Sequence, residues 1–214
     1  MKFRQYLQGL YPVTDPSLQQ NLAGAVHDTL QGGARVIQYR DKGKDPTRRL
    51  NEALQLKQLC LEHEALLIIN DDIQLAKESN ADGVHLGAND PDILEARHYL
   101  GDRKIIGISC YNQLSLAIAA QQQGANYAAF GSFYLSSVKP NAIKADIHLL
   151  SEARQQLDIP IVAIGGITLH NAPDLVAAGA DMLAVINGVF AQKAIQSTTE
   201  KFNALYSSKR TGAE

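Results

Sequence analysis

The chain has 214 residues, 45% hydrophobic and 20% charged, an ordinary balance for one globular domain with a large core. With 20 basic and 22 acidic residues the formal net charge is −2, which excludes a general nucleic-acid surface and makes any anion site local. The opening Met1-Lys2-Phe3-Arg4-Gln5-Tyr6 has no leader pattern and no apolar run approaches the ~20 residues that span a bilayer, so the expected place is the cytoplasm, with no membrane partner.

Along the chain, short apolar runs alternate with longer helical patterns. The run Leu10-Tyr11-Pro12-Val13-Thr14 precedes a helix pattern from Asn21 to Gln31 that stops at Gly32-Gly33. Arg35 to Arg40 is the second run; Asp45-Pro46-Thr47 then reads as an N-cap with Pro at the first helical position, its helix running to about His63. Leu66 to Asn70 and Gly83 to Leu86 follow, and Asp90-Pro91-Asp92 repeats the helix-start signal. Ile105 to Ser109, Tyr127 to Gly131, Ile161 to Ile164 and Met182 to Ile186 complete the runs, with helices expected over Gln113–Gln123, Ile147–Leu157, Asn171–Ala178 and Val189 to about Tyr206. Continuous apolar runs suit strands buried on both faces. The polar tail, Ser207 to Glu214, is expected to fray.

The even-numbered runs are preceded by similar tripeptides: Gly33-Ala34-Arg35, Asn80-Ala81-Asp82, Gly124-Ala125-Asn126 and Gly179-Ala180-Asp181. Gly or Asn at such a place ends a helix in the left-handed conformation. The recurrence implies one βαβα unit used four times, hence a single-domain α/β fold, a (β/α)8 barrel over residues 1–214. A doubly wound open sheet is the alternative, but no GxGxxG follows the first run. Cys60 and Cys110 form no CxxC pair, so reduced thiols are expected.

Barrel active sites lie at the carboxyl ends of the strands. There the sequence places Thr14-Asp15, Gln38 to Lys42, Asn70-Asp71-Asp72, His85 to Asp90, Ser109, the loop Ser136-Ser137-Val138-Lys139, Gly165-Gly166 and Ile186-Asn187-Gly188. The two glycine-bearing turns read as a phosphate site, where backbone N–H groups approach an anion. Asp71 and Asp90, ending adjacent strands, suit Mg2+ held by carboxylates and substrate phosphates, although Asp72 and Asp90 also suit helix caps. Gln38, Arg40 and Lys42 share one face if their strand continues, a comb for a polyanion, with Tyr39 and Asp41 opposite. His85 reads as a core histidine. No histidine is placed to activate Ser109 or Cys110, which argues against a nucleophilic Ser or Cys.

The ordered series Gln38-Tyr39-Arg40-Asp41-Lys42, Asn70-Asp71-Asp72, Gly83 to Gly87, Gly107-Ile108-Ser109, Lys139-Pro140 and Ile164 to Ile167 resembles the thiamine phosphate synthase family from Leu10 to about Phe190. That resemblance implies condensation of a hydroxymethylpyrimidine diphosphate with a hydroxyethylthiazole phosphate, releasing pyrophosphate. It implies that residues 38–42, Asn70, Ser109 and Lys139 bind the diphosphate, with Arg40, Ser109 and Lys139 catalytic and Mg2+, Arg40, Lys42 and Lys139 neutralising the leaving pyrophosphate. Asp71 and Asp90 would hold Mg2+. Ser136, Ser137, Val138, Gly165, Gly166, Ile186 and Asn187 would meet the thiazole phosphate. Val138 stands where the family usually has Thr, Asn187 where Ser is commoner, and Ala88 where Gln is common. A barrel isomerase or aromatase acting on a thiazole or sugar phosphate, and a non-catalytic phosphate-binding barrel, remain as alternatives; a homo-oligomer is compatible with all three.

Overall fold

The computed structural model describes residues 3–135 and 143–210, with side chains up to Tyr206. Its strands are β1 (Gly9–Pro12), β2 (Val36–Tyr39), β3 (Leu66–Asn70), β4 (Gly83–Leu86), β5 (Ile105–Tyr111), β6 (Tyr127–Phe130), β7 (Ile161–Ile164) and β8 (Met182–Val185). All pair in parallel, in the order β1-β8-β7-β6-β5-β4-β3-β2. The barrel closes where Val13 bridges Gln38 and the Thr14 N–H donates to the Gln38 carbonyl at 2.9 Å. This is the (β/α)8 barrel expected from the alternating runs.

Strand side chains alternate between two apolar layers. Tyr11, Val13, Val36, Ile68, Ile105, Tyr127, Val162 and Met182 fill the barrel interior. Leu10, Ile37, Tyr39, Leu67, Ile69, Ile106, Phe130 and Leu183 face outward against the helices. Burying a side chain of this size contributes about 1.5–3 kcal/mol, so the double coat outweighs weak helix propensity. The helices are α1 (Leu22–Gln31), α2 (Pro46–Glu62), α3 (Ile73–Glu78), α4 (Ile93–Leu100), α5 (Leu114–Gln122), α6 (His148–Gln156), α7 (Ala172–Ala177), α8 (Asn187–Phe190) and α9 (Ile195–Arg210). Asn21, Asp45, Asp72 and Asp92 cap four of them, each accepting from the backbone N–H three residues on.

The four tripeptides work as a repeat. Gly33, Asn80, Gly124 and Gly179 have φ of +86°, +50°, +91° and +117°. The alanines after them are all buried. The third residue then binds the start of the preceding strand in three of the four units. Asp82 accepts from Leu67 N–H at 2.8 Å, Asn126 from Ile106 N–H at 2.8 Å and Asp181 from Ile161 N–H at 2.7 Å. Lys57, Arg97 and Arg154 complete these junctions from helices α2, α4 and α6. This end of the barrel is structural, which leaves the carboxyl end for chemistry.

Four expectations change. Six-residue α3 was not anticipated, because a segment that short shows no clear helical period. Helix α4 is capped by Asp92, not Asp90. The single helix expected over Val189–Tyr206 is two, α8 and α9, broken between Phe190 and Ile195. The tail expected to fray from Ser207 is helical to Arg210; residues 211–214 lie outside the described residues.

Both cysteines are buried and free, Cys60 on α2 and Cys110 on the outer face of β5. Burial pushes each thiol up to about 12, so neither is an available thiolate at neutral pH. A Cys60→Ala/Cys110→Ser variant is expected to keep activity within about tenfold of wild type; a larger loss in a folded protein would reveal thiol chemistry.

Candidate active site

A cavity of about 670 Å³ opens at the carboxyl ends of the strands, with the inward side chains as its floor and the βα loops as its walls. Gln38, Arg40 and Lys42 all line it, as the alternation predicts, although β2 ends at Tyr39. Thr14 carries the geometry past that point: its hydroxyl accepts from Arg40 N–H at 2.9 Å and donates to the Arg40 carbonyl at 3.2 Å. Asp15 lies 3.7 Å from the Arg40 guanidinium and helps hold it over the cavity.

Tyr39 and Asp41, also expected to bind substrate, do not line this cavity. Tyr39 is buried outside the barrel and donates to Glu52 at 2.7 Å, with the Asp41 carboxylate 3.3 Å from the same hydroxyl. Asp41 pairs with Arg48 and accepts from Gly43 N–H at 2.6 Å. Burial alone would raise the Asp41 carboxyl; the Gly43 N–H and the Arg48 guanidinium instead hold it below its usual value. The pair shapes the loop that presents Lys42.

Asn70 and Asp71 follow on β3. Asp71 has φ +66°, a strained position for a non-glycine residue, fixed by its N–H donating to the His85 carbonyl at 2.8 Å. Asp90 accepts from Gly87 N–H at 2.7 Å, and its carboxyl and that of Asp71 are within hydrogen-bond reach of each other. Burial first, then the neighbouring Asp90 charge, raises Asp71 above the ordinary carboxylate range. The Lys42 ammonium, 4.0 Å away, and the Asn70 amide act in the opposite direction. Two converging carboxylates in this electrostatic strain fit a hard divalent cation with oxygen ligands. Among the described residues no larger cluster of His, Cys, Asp and Glu is built for a metal.

His85, read as a core histidine, lines the cavity. It is 8% exposed, with Nε2 2.9 Å from the Ser109 hydroxyl and Nδ1 3.0 Å from the Tyr127 hydroxyl. Ser109 therefore does have a histidine partner. The two sit on neighbouring strands whose register pairs His85 with Gly107, so both face inward, one rung apart. Gly107 and Tyr127 explain the space: a Cβ at Gly107 would lie 1.9 Å from the Tyr127 ring. The sequence reading missed Tyr11, Tyr127 and Tyr111; the isolated glycines of β4 and β5 were the available signal of a crowded interior.

Gly165 and Gly166 close the far wall, with φ of +108° and +60°. A Cβ at Gly165 would meet the Ser132 Cα at 2.7 Å and one at Gly166 the Leu135 carbonyl at 2.3 Å. These glycines thus admit the segment after β6 as well as exposing backbone. Ile186 and Asn187 open α8 beside them and line the same cavity. The expected site residues Ser136, Ser137, Val138 and Lys139 lie outside the described residues.

A sequence profile described as thiamine monophosphate synthase matches residues 10–189. A thiamine-phosphate synthase of Nitrosococcus oceani is 50% identical over 198 residues, covering 92% of this chain and 91% of that protein. One of Thioalkalivibrio sulfidiphilus is 47% identical over 202 residues, covering 94% and 96%. A solved thiamine phosphate pyrophosphorylase from Pyrococcus furiosus superposes with a TM-score of 0.88 at 32% identity, covering 96% of this chain and 98% of that one. The barrel, the polar floor of its cavity and these likenesses agree, and the chain belongs to the thiamine monophosphate synthase family.

Proposed function

We propose that this cavity condenses hydroxymethylpyrimidine diphosphate with hydroxyethylthiazole phosphate, forming thiamine phosphate and releasing pyrophosphate by dissociative substitution. The observation that carries the residue assignment is the convergence of Arg40, Lys42, Asn70, Asp71, Asp90 and Ser109 on one cavity. Arg40, Lys42 and Lys139 offset charge on the diphosphate; Gln38, Asn70 and Ser109 add hydrogen bonds. Asp71 and Asp90 hold Mg2+, which supplies further charge neutralisation to the leaving pyrophosphate. Gly165, Gly166, Ile186 and Asn187, with Ser136, Ser137 and Val138, hold the thiazole phosphate. The aminopyrimidine stabilises positive charge on the departing CH2, and the thiazole nitrogen attacks it. No protein nucleophile is required. Holding both partners together supplies up to about 7–11 kcal/mol of barrier lowering. An isomerase would need a positioned acid or base in place of the carboxylate pair and the cationic comb. Reduced buried thiols suit a cytoplasmic enzyme, and among the described residues no helix is long and apolar enough to cross a membrane.

The deciding assay measures pyrophosphate release with both heterocycles and Mg2+, omitting each in turn. Release is expected only from the complete mixture; release without the thiazole phosphate, or none at all, rejects the assignment. Val138→Thr adds a hydroxyl where family members usually have one and is expected to lower KM for the thiazole phosphate by about tenfold or more, a hydrogen bond to a charged group contributing ~1.5–3 kcal/mol. A shifted diphosphate KM would instead move this loop to the other substrate.

A further inference from the structure

Beneath the cavity runs a buried chain of polar side chains. The Gln38 amide Nε2 donates to the Tyr11 hydroxyl at 2.9 Å. Tyr11 and Tyr127 share a hydrogen bond of 2.8 Å between their hydroxyls, with the rings edge to face. Tyr127 reaches His85 Nδ1 at 3.0 Å while its ring stacks on the imidazole, and His85 Nε2 meets the Ser109 hydroxyl at 2.9 Å.

Each hydroxyl has one proton to donate and two lone pairs to accept with, and a neutral imidazole has one N–H, so the direction of such a buried chain follows from which protons have an acceptor. The first link sets the direction. An amide NH2 is a donor, so Tyr11 accepts from Gln38; among the described residues the fully buried Tyr11 hydroxyl has only the Tyr127 oxygen to receive its own proton, so it donates to Tyr127. Tyr127 then donates to His85 Nδ1, the imidazole proton sits on Nε2, and Nε2–H donates to the Ser109 oxygen. Complete burial raises both phenols above their ordinary value, which keeps both protons in place at neutral pH.

We propose that Tyr11 and Tyr127 are positioning residues that hold His85 as its Nε2–H tautomer, so that Ser109 accepts from His85 and aims its own O–H into the cavity. Ser109 is thereby a hydrogen-bond donor to the anionic substrate and not a base-activated nucleophile. The reverse direction would leave His85 accepting from Ser109, the arrangement of an activated serine. This deepens the diphosphate-binding role of Ser109 and rests on it for its kinetic consequence, but not for the tautomer.

The test is nitrogen NMR of protein labelled at its six histidines, with His85 assigned by its loss in His85→Gln. At neutral pH the wild type is expected to show a pyridine-type Nδ1 and a pyrrole-type Nε2 at this residue. Tyr127→Phe is expected to shift both resonances toward a tautomer mixture. It is also expected to raise KM for the diphosphate about three- to tenfold, the size of one ordinary hydrogen bond, with the thiazole phosphate KM unchanged. A pyrrole-type Nδ1 or an imidazolium in the wild type overturns the proposal, whether or not Tyr127→Phe folds. Unmoved His85 resonances in a folded Tyr127→Phe protein overturn it as well. If the NMR agrees but no substrate binds, the diphosphate assignment fails and the tautomer stands.

Discussion

Asp71→Asn and Asp90→Asn each lower Mg2+-dependent turnover by at least about 100- to 1000-fold, the loss typical of one transition-state charge stabiliser, while the barrel remains folded. Asparagine retains an oxygen, so the contact from Gly87 N–H to residue 90 survives and the loop keeps its shape. What disappears is one negative charge from the pair. Asp71 is raised by burial and by Asp90, so its proton is held more tightly in the folded than in the unfolded chain. For a carboxyl raised in this way, stability is greatest at low pH and falls as pH climbs from the unfolded to the folded pKa; the ionised pair is then a cost at neutral pH. Asp71→Asn removes that cost, and its Tm without metal is expected at or above that of wild type. Mg2+ should raise the wild-type Tm and leave that of either variant nearly unchanged. Thermal unfolding with and without Mg2+, beside turnover in EDTA, checks all of this. Full activity of either variant, or undiminished wild-type activity in EDTA, removes the metal from Asp71 and Asp90.

Gly166→Ala is expected to cost both stability and one substrate. The added methyl would sit 2.3 Å from the Leu135 carbonyl oxygen and 2.8 Å from the Tyr134 carbonyl carbon, backbone atoms with no rotamer to yield. Overpacking of this kind costs about 1–3 kcal/mol, and the left-handed φ of +60° adds about 1–2 kcal/mol for a side chain that glycine lacks. The segment after β6 must move off the end of β7, and the phosphate turn moves with it. The expected result is a Tm several degrees lower and a thiazole phosphate KM at least tenfold higher, with the diphosphate KM close to wild type. Differential unfolding and KM for each substrate measure it. A diphosphate KM that rises as much as the other would show that this turn serves both substrates, and wild-type behaviour throughout would mean the segment shifts without consequence.

The sequence by itself determined the barrel, because that information is local. Buried parallel strands need continuous apolar runs, helix ends need left-handed residues, and Gly33, Asn80, Gly124 and Gly179 mark four such ends at one repeating place. Strand alternation also pointed Gln38, Arg40 and Lys42 to one face, although β2 ends at Tyr39 and the Thr14 hydrogen bonds to Arg40 carry the alternation onward. The carboxyl pair was legible only as two acidic strand ends. Their approach within hydrogen-bond reach required the Gly87 turn and the positive φ of Asp71. Tertiary structure alone decided that Asp92 rather than Asp90 caps α4, leaving Asp90 for the cavity. It alone sent Tyr39 and Asp41 to Glu52 and Arg48, contacts made by a helix seven to thirteen residues downstream. It also turned a histidine with an unremarkable strand context into the partner of Ser109 and Tyr127. Those contacts join residues 24 and 42 positions apart across β4, β5 and β6. Their existence depends on the register between strands, which is set by how the whole barrel closes and packs and is written in no single segment.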